Sequence, residues 1–69
     1  MFDEYQMVRL KRPKGGLVEG TLGTVVTVYT DPLPGYEVEF GDKDGFTLAL
    51  LTLYDDDLVA APDAERGGG

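Results

Sequence analysis

Sixty-nine residues with a net charge of −7 make one small domain, which buries only about 60% of its unfolded surface and has a marginal core unless a partner adds to it. The sequence holds no Cys, His, Ser, Asn or Trp, which excludes disulfides and thiolate or imidazole metal sites and removes the usual catalytic bases and nucleophiles; neither enzyme activity nor a bound cofactor is expected. No apolar run approaches the roughly 20 residues of a membrane-spanning helix, so no membrane partner is expected either.

The first residues, Met1-Phe2-Asp3-Glu4, are acidic where an export signal is basic, which points to the cytoplasm. In the next stretch Val8 and Leu10 share one face and Arg9 takes the other, so residues 5–11 read as a half-buried strand. Pro13, Gly15 and Gly16 break it. A polar loop of about ten residues, anchored by Leu17 and Val18, then leads to the second strand, the spacing of the long first loop in SH3-like barrels. That strand, residues 22–30, is the central one. Its β-branched run Thr24-Val25-Val26-Thr27-Val28 is stiff at χ1 and fits a pleated surface. Gly23 near its start predicts a bulge, or a close passage by another backbone. Asp31, Pro32, Pro34 and Gly35 form a rigid, exposed turn. Residues 35–41 alternate most cleanly, with Tyr36, Val38 and Phe40 inward and Glu37 and Glu39 towards water. Gly41-Asp42-Lys43-Asp44-Gly45 is a tight hairpin turn in which Asp-Gly supplies positive φ.

Residues 45–53 do not alternate, because both faces are apolar. A helix is the competing reading, since Leu and Ala favour it; the preceding turn, the threonines and the short length favour a strand. A small barrel has one interior, so Ala49, Leu51 and Leu53 go inward and Phe46, Leu48 and Leu50 stay outside. Large apolar groups left in water mark an interface. The alternative is that strand curvature buries both faces. Asp55-Asp56-Asp57 caps a single helical turn, and residues 58–60 close the fold. Residues 61–69 have no apolar anchor and read as a flexible tail, leaving 1–60 as the folded domain. The expected core is Val8, Leu10, Leu17, Leu22, Val25, Val28, Tyr36, Val38, Phe40, Leu51, Leu53 and Leu58. Together these elements predict an all-β protein, a small five-stranded SH3-like barrel with a single helical turn before the last strand.

The segments Leu22-Gly23-Thr24-Val25-Val26, Tyr36-Glu37-Val38-Glu39-Phe40 and Asp44-Gly45 with Thr47-Leu48-Ala49-Leu50-Leu51-Thr52-Leu53 resemble a family of short bacterial proteins of unknown function, over residues 4–60. Its members resemble the accessory half of small two-gene pairs, which implies an antitoxin- or immunity-like role. More distantly, Gly20-x-x-Gly23-x-Val25 followed by Tyr36-x-Val38-x-Phe40 is similar to the barrel domain of the nitrile hydratase β subunit. That likeness implies a fold and no reaction.

The charge is segregated. Residues 1–30 carry Arg9, Lys11, Arg12 and Lys14 against Asp3, Glu4 and Glu19, a net +1, whereas residues 31–69 carry ten acidic groups against Lys43 and Arg66, a net −8. Such acidity can serve solubility alone; it also repels nucleic-acid phosphates and attracts a basic protein surface. A calcium loop with Gly45 as its sixth residue would need a carboxylate where Phe40 stands, so Asp42 and Asp44 read as hairpin residues. Three consecutive carboxylates, Asp55, Asp56 and Asp57, cannot all face one ion, and a capped turn explains them. Glu37 and Glu39 lie about 7 Å apart along the strand, on an open face with no apolar wall to raise either pKa, which rules out an acid–base pair. Lys11, Arg12 and Lys14 pair with nearby acids or are solvated. The resulting expectation is a small acidic protein-binding module, antitoxin- or immunity-like, for a basic partner such as a toxin encoded nearby. Phe46, Leu48 and Leu50 make contact, and Glu37, Glu39, Asp42, Asp44, Asp55, Asp56 and Asp57 steer the encounter. The alternative is a homodimer, or an accessory subunit of an enzyme complex with no activity of its own.

Overall fold

The computed structural model describes residues 1–42 and 44–62. Lys43 and most of the expected tail, residues 63–69, lie outside the described residues. Five strands, β1 (Met7–Leu10), β2 (Leu22–Tyr29), β3 (Gly35–Gly41), β4 (Thr47–Leu53) and β5 (Leu58–Ala60), form one antiparallel sheet in the order β4-β3-β2-β1-β5. A single 3-10 turn, Asp55–Asp57, precedes β5, as the three aspartates predict. Residues 47–53 are a strand and not a helix. The all-β, five-stranded expectation holds; among the described residues no ladder joins β4 to β5, so β4 and β5 stand at the two ends of the strand order and closure into a barrel is not shown. No helix among them is long and apolar enough to cross a membrane.

The alternation of β1 and β3 places one face of the sheet inside. Val8, Leu10, Val25, Tyr36, Val38, Phe40, Leu53 and Leu58 form the buried cluster, with Leu17, Val28 and Leu51 packed against it. Leu22 departs from the expected core. It pairs with Arg9 on the opposite face, because its neighbour Gly23 takes the inward position opposite Val8. A Cβ on Gly23 would lie 2.7 Å from the Phe40 ring and 2.9 Å from Val38 Cγ1. Gly23 therefore makes room for two core side chains rather than for a passing backbone. The bulge expected there falls instead between Val25 and Thr27.

The residues that flank the first and last strands add contacts that the sequence pattern does not announce. Tyr5 adopts φ 68° in a turn where the Gln6 N–H donates to the Asp3 carbonyl and Gln6 Oε1 accepts the Asp3 N–H. The strand therefore starts at Met7 and not at residue 5. This turn folds Phe2 back on Tyr36, ring to ring at 5.5 Å and 70°, an edge-on packing favoured by the aromatic quadrupoles. Ala61 is buried, and its N–H donates to the Met7 carbonyl. Ala61, the first residue of the expected tail, thus packs on the sheet.

The long β1–β2 loop is held to the body at its tip. Lys14 and Leu17 exchange two backbone hydrogen bonds, and a Cβ on Gly15 would stand 2.8 Å from Leu51 Cδ2. The loop backbone therefore rests directly on the inner side of β4. Of the two expected apolar anchors, Leu17 packs against the core and Val18 is exposed. Two basic residues of the loop reach the 3-10 turn: Arg12 Nη2 donates to the Asp56 backbone carbonyl at 2.8 Å, and Lys14 Nζ forms an ion pair at 3.6 Å from Asp57 Oδ1.

Candidate functional site

β4 is an edge strand, and the loop just described covers only its inner side. On the outer side Leu50 pairs with Glu39 and Thr52 with Glu37. The register then slips between Phe40 and Gly41, so that Gly41 faces Thr47 and Leu48 has no partner across the ladder. Simple alternation along β4 therefore ends at Ala49. Phe46, Leu48 and Leu50 are 70%, 55% and 56% exposed. Three large apolar groups on an uncovered edge are unfavourable for a monomer in water, since such an edge is a template for another chain.

The carboxylates assigned to steering sort into distinct roles. Glu37 and Glu39 flank the apolar stripe on β3. Glu39 Oε2 accepts the Thr47 hydroxyl at 3.0 Å, and Glu37 Oε1 accepts that of Thr52. These cross-strand bonds fix both side chains beside β4. Asp42 shapes the hairpin, its Oδ1 accepting the N–H groups of Asp44 at 2.9 Å and Phe46 at 3.0 Å. Asp44 is exposed at the same turn. Asp55 and Asp56 are exposed at the far end of β4, and Asp55 Oδ1 accepts the Tyr36 hydroxyl at 2.6 Å. Burial, and then this hydrogen bond, raise the Tyr36 pKa above its ordinary 10.0.

Asp57 leaves the steering set. It is buried, its Oδ2 accepts the Tyr54 N–H at 3.0 Å, and its Oδ1 faces Lys14. The side chain that was expected to greet a partner holds the 3-10 turn together. Because Asp55 and Asp57 serve different partners, the three aspartates do not converge, and among the described residues no group of three or more could hold a metal ion.

One feature near β4 was missed in the sequence. Beyond Thr52 the stripe runs into a cleft of about 210 Å³ lined by Tyr29, Asp31, Leu33, Gly35, Thr52 and Tyr54, with Pro32 at its rim. The prolines and glycine of residues 31–35 predict a rigid, exposed turn and no cleft. The available signal was a tyrosine closing each of two strands that meet at Gly35.

No curated protein and no solved structure matches the chain, and the likeness to the nitrile hydratase β subunit is not shown. The model of a family described as Domain of unknown function (DUF4926) matches residues 4–60, from the turn that precedes β1 through the end of β5, and the chain belongs to that family.

Proposed function

We propose that the protein is a binding module that docks a basic partner protein along the outer side of β4, in the manner of an antitoxin or immunity protein, and acts in the cytoplasm. The observation that carries this reading is the exposure of Phe46, Leu48 and Leu50 on an uncovered edge strand, with Glu39 beside them and Asp42 and Asp44 at the adjoining turn. Buried apolar anchors hold a complex together, unpaired edge groups accept an added strand, and flanking charge speeds the encounter. The reading is tested by co-expressing the chain with the product of the adjacent gene and measuring the complex by light scattering and surface binding. A one-to-one complex is expected, weakened about 10- to 100-fold by Leu48→Ala with Leu50→Ala. Failure of the parent chain to bind the adjacent product overturns it.

A homodimer is the second reading, favoured by the same edge, because β4 can pair with a second β4. It would bring together two chains of net charge −7, which opposes self-association. A concentration-dependent dimer abolished by the same two substitutions would put this reading first.

A further inference from the structure

We infer that the cleft at the end of β4 is a receptor for an arginine side chain of the partner. This rests on the basic-partner reading above and adds the chemical group that is recognised. Tyr29 ends β2, Tyr54 follows β4, and each is about half exposed. Between them lies Gly35, which pairs with Tyr29 across the β2–β3 ladder. A Cβ on Gly35 would stand 3.2 Å from Tyr54 Cε1, so the missing side chain is what lets that ring lie over the strand. Leu33, 67% exposed, makes one rim. Asp31 lies at the cleft and has no hydrogen bond or ion pair among the described residues. Glu37 stands next to it through Thr52, whose hydroxyl it accepts. Among the described residues no basic side chain lines the cleft.

Two aromatic rings, an unpartnered carboxylate and room for one side chain match a guanidinium. Its flat face stacks on a tyrosine ring while its forked N–H groups donate to a carboxylate. A phosphate or carboxylate ligand would meet Asp31, and a neutral aromatic would leave Asp31 without a counter-charge. A lysine ammonium lacks the planar face and is more strongly hydrated, so it is held less well. The position fits the docking stripe. Tyr54 lies four residues beyond Leu50, about 13 Å along an extended chain, so a partner strand on β4 reaches the cleft with a residue four places from the one that covers Leu50.

The test is an amide-resolved NMR titration of the full chain at low salt with N-acetyl-arginine amide, N-acetyl-lysine amide and N-acetyl-citrulline amide, the last being the uncharged isostere. Saturable shifts confined to residues 29–35 and 52–54 are expected with the arginine amide, with binding about tenfold weaker for the citrulline amide. Asp31→Asn and Tyr54→Ala should each weaken the response while the remaining amides keep their positions, which shows that the fold is intact. Shifts that do not saturate, that spread over every carboxylate, or that are equal for the arginine and citrulline or lysine amides overturn the assignment. If the arginine amide fails while the complex still depends on Leu48 and Leu50, the cleft assignment alone falls. If it binds at the cleft and no partner complex forms, the docking function falls and the cleft stands.

Discussion

Tyr36 is fully enclosed, yet its hydroxyl is satisfied twice. It donates to Asp55 Oδ1 at 2.6 Å and accepts the Phe2 N–H at 3.1 Å. Burial first, and the Asp55 bond second, push its pKa above 10.0. Below the unfolded value of about 10 the phenol is protonated in both states, and its stabilisation is fully present. As the pH rises further, the unfolded chain gives up this proton while the folded chain keeps it. Stability then falls by up to about 1.4 kcal/mol per pH unit until the raised folded pKa is passed. The thermal midpoint should therefore drop from about pH 10 upward. Tyr36→Phe should flatten that drop, while removing about 1 kcal/mol at neutral pH through its two lost hydrogen bonds. A Phe variant whose alkaline drop equals that of the parent would place the titration elsewhere.

The 3-10 turn joins β4 to β5 through one side chain. Asp57 is nearly closed off from water and takes the Tyr54 N–H, while the Asp57 N–H donates to the Tyr54 carbonyl at 2.9 Å. Asp57→Ala leaves the partly buried Tyr54 N–H without its acceptor and should cost about 1–2 kcal/mol in urea unfolding. Asp57→Asn keeps an acceptor for Tyr54 and loses only the pairing with Lys14, which is 46% exposed and so contributes little. An Asn variant as unstable as the Ala variant would transfer the role to Lys14. Elements of this kind were largely legible beforehand. The alternation from Tyr36 to Phe40, the β-branched run of β2 and the aspartate turn each obey a local rule, and the strands stand where those rules place them. The register slips did not follow from local rules, because an unpaired Val26 or Leu48 is decided by the fit between two strands. Leu22 was misassigned for a related reason: the pattern favours an apolar residue inside, but the space belongs to Phe40 and only Gly23 fits beneath it. Phe2, Ala61 and the tyrosine cleft depend on segments distant in sequence meeting in space. No periodicity encodes that meeting.

At the scale of the whole molecule, the fold sharpens the charge segregation. Lys14 forms an ion pair with the Asp57 carboxylate and Arg12 donates to the Asp56 backbone carbonyl, so the basic loop lies against the acidic 3-10 turn and offsets part of its charge. Glu37, Glu39, Asp42 and Asp44 on the β3–β4 side receive no such ion pair among the described residues. These carboxylates lie beside the exposed stripe of β4, where their field would turn an approaching basic surface towards it. Charges at the rim of an interface act mainly on the association rate, and apolar anchors on the dissociation rate. Stopped-flow association with the adjacent gene's product should slow steeply as the Debye length contracts from about 30 Å at 0.01 M salt to about 8 Å at 0.15 M. Glu37→Gln with Glu39→Gln keeps both threonine hydrogen bonds and removes two charges. It should lower the low-salt on-rate and flatten its salt dependence, with little change in off-rate. Leu48→Ala or Leu50→Ala should do the reverse, raising the off-rate and leaving the salt dependence of association unchanged. An on-rate indifferent to salt removes the steering role from these carboxylates, and an off-rate indifferent to both leucines removes the docking role from β4.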